Sequence, residues 1–272
     1  MTVAVEEHVA IVVCDTPIEP LASIFGDFGD NCRDLLVNGG LQLKSEKYQV
    51  CFDQDNDANR NKLQMTLCRL KLEINHQNVK AIMFTGSRSD SFAATWWIKI
   101  LDEFINLVVF PSKIPIIGVC FGHQILAKNL GSTVARNLLG WELGLVNINV
   151  NTKIMTKFPF NQFQSLFDNL NLIEFHQDIV YDVPELFEII GSTDICKIQG
   201  LFRYDDQVKI LTFQGHPEFV SNLSLEHLLE MKDAGKISLQ QYNLGIQSIK
   251  SNKNCGPEIG NLIVTFLSGT KE

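Results

Sequence analysis

Short apolar runs alternate with segments of helical spacing along the first half of the chain. Runs at 9–14 and 79–84, and a third after Pro115, are apolar at most positions and rich in β-branched residues. Such runs are typical of strands buried on both faces of a parallel sheet. Apolar residues recur at helical spacing between them, at about 20–38 and 93–109. This alternation predicts an α/β fold with a doubly wound, mostly parallel sheet and flanking helices.

The second half of the chain has shorter strands, which predict a small antiparallel region on the same core. Predicted strands lie at 145–150 and 171–175, with a hairpin at 199–203 and 208–213 and an earlier strand at 48–52. Helical spacing returns at 223–231 and 239–249, while 259–267 fits either a helix or a strand. We find no internal repeat or linker and expect one domain over 1–272, with a helical extension from about 220.

Composition narrows the classes of partner. The net charge is −8 and there is no cluster of basic residues, which argues against a nucleic-acid surface. Seven cysteines stand without CxxC or paired spacing, so neither a zinc site nor a disulfide framework is indicated. The first eight residues are acidic where a signal peptide is basic, and no apolar run reaches the ~18 residues of a membrane helix. We expect a cytoplasmic protein without membrane contact.

A polar run at 53–61 has the aspartates of a calcium loop but fails its pattern. Ala58 stands where that loop requires glycine, and Gln64 stands where it requires a bidentate glutamate. We interpret the run as a solvated loop and predict no metal and no cofactor.

The segment 113–127 carries the strongest chemical signal. Its apolar run breaks at Gly118, Cys120 and Gly122 and then resumes with helical spacing, which is typical of a nucleophile elbow. A cysteine at such a turn lies at the positive end of the following helix, which favours the thiolate. The alternative is a small buried hydrophobic residue, and this segment alone leaves both interpretations open.

A reactive thiol needs a base, and the six histidines differ in context. We interpret His8, His76 and His227 as surface residues, expect His123 to point away from the thiol, and place His176 and His216 at strand ends.

His216 has a carboxylate two residues away. In extended chain His216 and Glu218 share a face, and Pro217 keeps the preceding histidine out of the α region. The pair therefore fits a base and the group that orients it, or a turn with an accidental pair.

Together the two segments resemble the class I, triad-type glutamine amidotransferases over about 9–219. The matching residues are Gly118, Cys120, Gly122, Gln124, Gln214, Gly215, His216, Pro217 and Glu218. The resemblance implies a flavodoxin-like core and a Cys-His-Glu triad. Cys120 would attack the γ-amide of glutamine or a similar γ-glutamyl bond, His216 would move the proton, and Glu218 would orient His216. The resulting γ-glutamyl thioester would be hydrolysed by water.

The resemblance also implies an oxyanion site. The turn at 85–87 stands where the family has a Gly-Gly turn, so the N–H of Gly86 or Ser87 would join that of Phe121. This sequence departs from the family there, with one glycine and no proline.

Four further matches belong to the family's substrate pocket. Gln124 matches the residue that contacts the amino-acid end of the substrate, and Glu142 belongs to a Glu-x-Gly signature. His176 and Asp178 match a His-x-Asp segment near the substrate, which could also be a structural corner.

The length of the chain and its Thr-Gly-Ser turn at 85–87 resemble the stand-alone group that includes the γ-glutamyl peptidases. The function predicted from this resemblance is a cysteine hydrolase of γ-glutamyl amides, acting on glutamine or a γ-glutamyl peptide. The alternatives are a glutaminase subunit that delivers ammonia to a synthase partner and a non-catalytic regulatory protein with the same fold.

Overall fold

The computed structural model describes residues 6–269. Residues 1–5 and 270–272 lie outside the described residues, and they include the first five of the eight residues that were compared with a signal peptide. The strands are β1 (His8–Val13), β2 (Lys44–Gln49), β3 (Val79–Phe84), β4 (Ile116–Val119), β5 (Val134–Arg136), β6 (Glu142–Asn147), β7 (Asn149–Val150), β8 (Asn171–His176), β9 (Asp178–Val180), β10 (Glu188–Ile189), β11 (Gly191–Ser192), β12 (Leu201–Tyr204) and β13 (Lys209–Phe213). The α-helices are α1 (Leu21–Phe25), α2 (Phe28–Asn38), α3 (Asp57–Asn75), α4 (Trp96–Phe104), α5 (Phe110–Ser112), α6 (Phe121–Asn129), α7 (Gln164–Phe167), α8 (Ser221–Asp233), α9 (Leu239–Ser251) and α10 (Gly256–Ser268).

A seven-stranded sheet in the order β10-β12-β13-β4-β3-β1-β2 forms the centre of the fold. The five strands from β13 to β2 are parallel, and β12 and β10 add an antiparallel margin. Three separate strand pairs, β5–β9, β6–β8 and β7–β11, are antiparallel. The predicted mostly parallel sheet with a small antiparallel region is confirmed.

Apolar side chains cover both faces of this sheet. On one face α3, α4 and α6 contribute a cluster that includes Leu63, Leu101 and Ile125. On the other face α2 and α10 pack together, and Phe266 of α10 is fully buried. Because these parallel strands are buried on both faces, their sequences are continuous apolar runs.

The structure differs from the sequence prediction at the first sheet edge. Strand β2 spans Lys44–Gln49 rather than 48–52, and Tyr48 is its one fully buried residue. The predicted position of this strand was wrong, because an edge strand with a single buried side chain shows almost no period-two pattern in the sequence.

Helix α3 was not predicted, and the solvated-loop interpretation of 53–61 was wrong for its second half. Asn56 caps the helix by accepting from the N–H of Asn59 at 2.9 Å. The buried residues Leu63, Leu67, Leu70 and Ile74 carry the helical period. The first turn is solvent-exposed, so the polar loop and the helix start look alike in sequence.

Other predicted element boundaries also differ from those in the structure. The predicted helix at 20–38 is broken at Gly26, which has φ +77°, and α2 starts at the capping residue Asp27. The strand predicted at 145–150 is divided between β6 and β7, and the undecided segment 259–267 is helical. Within residues 6–269, no helix has the length and apolar composition needed to cross a bilayer.

Candidate active site

Cys120 lies at the turn between β4 and α6 in a strained backbone conformation. Its φ is +51° and its ψ is −104°, which a non-glycine residue rarely adopts. The neighbouring glycines permit this turn. A Cβ at Gly118 would lie 2.7 Å from the backbone of Gly122, and one at Gly122 would lie 2.4 Å from the carbonyl oxygen of Phe84. The sharp turn and the close approach of α6 to the sheet therefore depend on glycine.

The thiol side chain is only 5% exposed but lines a cavity of about 270 Å³. The Cys120 N–H donates to the carbonyl oxygen of Phe213 at 2.8 Å, which ties the turn to β13. Phe121 opens α6, and the first N–H groups of a helix have no partner within it. The Phe121 N–H is therefore available to a ligand beside Cys120.

His216 follows β13, and contacts to its ring and to its backbone fix its position. Its Nδ1 lies 2.8 Å from Oε1 of Glu218, and its backbone N–H donates to the carbonyl oxygen of Ile173 at 2.7 Å. Its ring stacks on Phe219 with 4.2 Å between centroids. These contacts orient the imidazole while leaving Nε2 directed away from Glu218.

The charges around His216 favour its protonated form. Burial opposes the charge, but the carboxylate of Glu218 and the sulfur of Cys120 outweigh it, and the pKa of His216 is raised well above its usual value. The arrangement thus supports an imidazolium at His216, beside the sulfur of Cys120.

Gly86 adjoins both of these residues. A Cβ built on it would lie 2.9 Å from Cε1 of His216 and 3.7 Å from Cβ of Cys120. The described residues offer no hydrogen-bond acceptor to the N–H groups of Gly86 and Ser87. The turn itself is fixed, since Thr85 Oγ1 accepts from the Cys14 N–H at 2.9 Å. The structure thus brings the predicted turn to the thiol with unpaired donors.

Gln124 lies one turn along α6 and lines the same cavity. Its Nε2 donates to the carbonyl oxygen of Asp178 at 2.9 Å and to Oε1 of Gln214 at 3.2 Å. His176 and Asp178 also line the cavity. Three of the four residues predicted for the substrate pocket therefore surround one space.

Glu142 does not line the cavity but lies behind His176. Its Oε2 is 2.9 Å from Nε2 of His176 and accepts from Gln199 Nε2 at 2.6 Å. Glu174 Oε2 lies 3.3 Å from the same histidine nitrogen. Burial opposes the charge on His176, but the two carboxylates raise its pKa to about 10. His176, which lines the cavity, is therefore a buried cation, and Glu142 contacts it without itself lining the cavity.

One cluster has the composition of a metal site. Glu142, His176 and Cys196 have ligand atoms within 4.8 Å of one another. These atoms already bond within the protein: His176 pairs with Glu142, and the Cys196 thiol donates to the carbonyl oxygen of Ile198 at 3.6 Å. A hydrogen-bonded network accounts for the cluster, and burial raises the pKa of Cys196 and keeps it a thiol.

Two histidines were placed wrongly from sequence. His8 is buried in β1 and hydrogen-bonds to the Tyr48 hydroxyl at 3.0 Å. His227 is buried on α8 and lines the cavity, with its ring 4.8 Å from that of Phe175. Burial, and then the charge on His216, lower the pKa of His227 to about 3, so its imidazole is neutral. His227 lies on the same helix face as the buried residues Leu223, Leu228 and Met231. This helical spacing could have predicted its burial from the sequence.

Several other cavity residues were not selected as site residues from the sequence. They are Phe28, Arg88, Ser89, Asp90, Arg136, Trp141, Phe175, Gln177, Phe219, Met231 and Lys236. Most come from loops and from α8, whose position depends on tertiary packing.

Comparisons with known proteins agree with this geometry. A glutamine amidotransferase-like protein of Schizosaccharomyces pombe is 35% identical over 219 residues, covering 78% of this chain and 79% of that protein. Gamma-glutamyl peptidase 2 of Arabidopsis thaliana is 32% identical over 151 residues, covering 55% of this chain and 58% of that protein.

The fold also has solved counterparts. The crystal structure of a glutamine amidotransferase from Thermotoga maritima aligns with a TM-score of 0.65 at 17% identity, covering 97% of this chain and 100% of that one. The family model described as glutamine amidotransferase class-I matches residues 25–233. This span holds the elbow, the turn at 85–87 and the His216–Glu218 pair, and the chain belongs to the class-I glutamine amidotransferase family.

Proposed function

We propose that this protein is a cysteine hydrolase of γ-glutamyl amide bonds. The observation that carries the proposal is the convergence of a strained cysteine, a carboxylate-held histidine and a turn with unpaired N–H groups. These parts supply a nucleophile, a proton carrier and oxyanion donors, which acyl transfer through a thiol requires. The similarity to gamma-glutamyl peptidase 2 supports the γ-glutamyl group as the acyl part.

In the first half-reaction, the Cys120 thiolate attacks the γ-carbonyl carbon and a C–S bond forms. The negative charge moves to the carbonyl oxygen, where the N–H groups of Phe121 and of Gly86 or Ser87 would stabilise it. When the C–N bond breaks, the imidazolium of His216 gives its proton to the leaving nitrogen. Glu218 holds the ring in place throughout, because it binds the other nitrogen.

In the second half-reaction, water hydrolyses the γ-glutamyl thioester. Neutral His216 takes a proton from the water, the hydroxide adds to the carbonyl, and the C–S bond breaks. Glutamate leaves and the thiolate–imidazolium pair is restored. The protein's own side chains carry every step, so the reaction as proposed uses no metal or cofactor. A free thiolate nucleophile also fits a reducing, cytoplasmic setting.

The proposal is tested by incubating the purified protein with glutamine and with γ-glutamyl dipeptides and measuring released glutamate. We expect release by the wild type and a loss of at least about 10³-fold in Cys120→Ser, since the nucleophile is removed. Cys68→Ser is the matched control, because Cys68 is exposed on α3 away from the cavity.

Two outcomes would redirect the interpretation. Release of ammonia from glutamine only after a co-purifying protein is added would favour the synthase-subunit alternative. Absence of turnover with every substrate, together with an unchanged Cys120→Ser variant, would favour a non-catalytic role.

A further inference from the structure

One side of the cavity carries mixed charge. Arg136 bridges two carboxylates: its Nη2 lies 2.9 Å from Asp90 Oδ2 and its Nε lies 3.1 Å from Asp178 Oδ1. All three residues line the cavity, and we call them the mixed-charge end. Burial, and then the charge on Asp90, raise the pKa of Asp178 to about 6. Carboxylates beside a guanidinium complement a group that has both an ammonium and a carboxylate.

The mixed-charge end is joined to the nucleophile. Gln124, whose N–H donates to the Cys120 carbonyl oxygen at 3.0 Å, holds the Asp178 carbonyl oxygen through its side chain. The amino-acid head of a γ-glutamyl group fits there, with its γ-carbonyl reaching Cys120.

Arg88 and Lys236 line the cavity elsewhere, and we call them the basic end. Arg88 directly follows the turn at 85–87. Its Nη2 lies 2.8 Å and its Nε 3.1 Å from the two carboxylate oxygens of buried Asp15, which fixes the guanidinium. Among residues 6–269, Nη1 of Arg88 has no hydrogen-bond acceptor. An immobilised guanidinium with an open donor is suited to a carboxylate.

Lys236 enters from the loop after α8. Its backbone N–H donates to the Met231 carbonyl oxygen at 2.9 Å, which fixes the loop. Its Nζ has a distant partner, Glu230 Oε1, at 3.8 Å. A pair at this distance leaves the ammonium free to bind another anion.

The carboxylates at this end do not face the cavity. Asp15 pairs with Arg88 and Glu230 with Lys236, and neither carboxylate is among the described residues that line the space. Neutral His227 lies near both cations, since both help to lower its pKa. The surface that a ligand meets here is cationic, whereas the other end offers both signs of charge.

The catalytic pair reaches the two ends through different contacts. Gln124 connects Cys120 to the mixed-charge end. The His216 ring contacts Phe175 and Phe219, and both of these rings contact His227 at the basic end. A ligand with its γ-carbonyl at Cys120 and its head at Asp178 would extend its leaving group toward Arg88 and Lys236.

We propose that Arg88 and Lys236 form a leaving-group subsite for a carboxylate, an inference that rests on the proposed function. The preferred substrates are then γ-glutamyl amino acids or peptides with a free carboxylate, rather than glutamine. When the C–N bond breaks, the leaving nitrogen takes its proton from His216 and departs as an amino acid. Ammonia, the leaving group of glutamine, cannot use this subsite.

The test compares γ-glutamyl-alanine with γ-glutamyl-alaninamide, which differ by one charged carboxylate. Wild-type protein should favour the acid by roughly tenfold in kcat/KM, the value of one charge-assisted contact. Lys236→Gln should reduce this preference by raising KM for the acid alone, while Arg88 retains part of it. Lys236→Glu should reverse it. Lys232→Gln is the matched control, because Lys232 lies on α8, pairs with Asp233 and does not line the cavity.

The outcomes separate the subsite from the proposed function. Equal kcat/KM for acid and amide, or a preference that survives Lys236→Glu in a protein with unchanged thermal unfolding, overturns the subsite. Hydrolysis of glutamine alone also overturns it, while the proposed function stands. If the protein hydrolyses neither γ-glutamyl-alanine, nor γ-glutamyl-alaninamide, nor glutamine, the proposed function is overturned and the subsite with it.

Discussion

The conformation of Cys120 and the charge of His216 depend on neighbouring residues. The positive φ of Cys120 is tolerated because glycines flank it, and the charge on His216 is maintained by Glu218. His176 follows the same logic, since Glu142 and Glu174 hold it as a buried cation. Each reactive or charged side chain in this site thus has a neighbour that sets its orientation or its proton affinity.

The pH dependence of the reaction should report the contact between His216 and Glu218. Glu218 raises the pKa of His216, so the imidazolium that protonates the leaving group persists toward high pH. In Glu218→Gln this charge is lost, the pKa of His216 falls, and the basic limb of the kcat/KM profile should move to lower pH. We also expect a loss of roughly 10²–10⁴-fold in kcat.

Glu226→Gln is the control for this prediction, because Glu226 is exposed on α8. The measurement is kcat/KM for a γ-glutamyl substrate from pH 5 to 11. An unmoved basic limb in Glu218→Gln would mean that the carboxylate does not govern the proton on His216.

At the level of elements, the elbow depends on how closely α6 approaches β3. Gly122 has no positive φ, so glycine is not required there for its backbone angles. It is required for space, because its Cα faces the Phe84 carbonyl at the end of β3. The helix start can therefore deliver Cys120 and the Phe121 N–H to the sheet edge. The antiparallel pairs add the opposite wall, since β8 and β9 flank the His176–Asp178 corner.

Gly122→Ala should disturb this packing. The added Cβ would lie 2.4 Å from the Phe84 carbonyl oxygen, so α6 must shift. We expect a loss of about 1–3 kcal/mol in the free energy of unfolding and a fall in kcat, because the elbow moves with the helix.

Gly140→Ala separates collision from backbone strain. Gly140 has φ +101° but no heavy atom within 4 Å of a built Cβ. It should lose about 1 kcal/mol and keep its kcat. Urea unfolding and steady-state kinetics of both variants check this, and an active, fully stable Gly122→Ala would contradict it.

Across the whole molecule, the sequence predicted the parallel sheet because its strands are buried on both faces and therefore apolar. It indicated Cys120, His216 and Glu218 as a candidate triad because their local motifs are short and rigid. The sequence pattern missed α3 and predicted β2 about four residues too late. Both elements bury one face only, and the polar residues of the exposed face hide the apolar period. It also missed Arg88, Lys236 and His227, which reach the cavity only through the packing of distant segments.

The helices after residue 220 illustrate this limit. The periodicity predicted two of them as helices, left 259–267 open between helix and strand, and indicated no role for any of the three. In the structure α10 buries Ile259, Leu262 and Phe266 against the sheet, and α8 supplies His227 and Met231 to the cavity. The extension thus completes both the core and the site.

The most direct measurement of the central claim is the intact mass of the protein after rapid acid quenching with a γ-glutamyl substrate. The account predicts a mass increase of one γ-glutamyl group, located on Cys120 by peptide mapping and absent in Cys120→Ser. Glutamate release without any such adduct, or an adduct on a different cysteine, would contradict it.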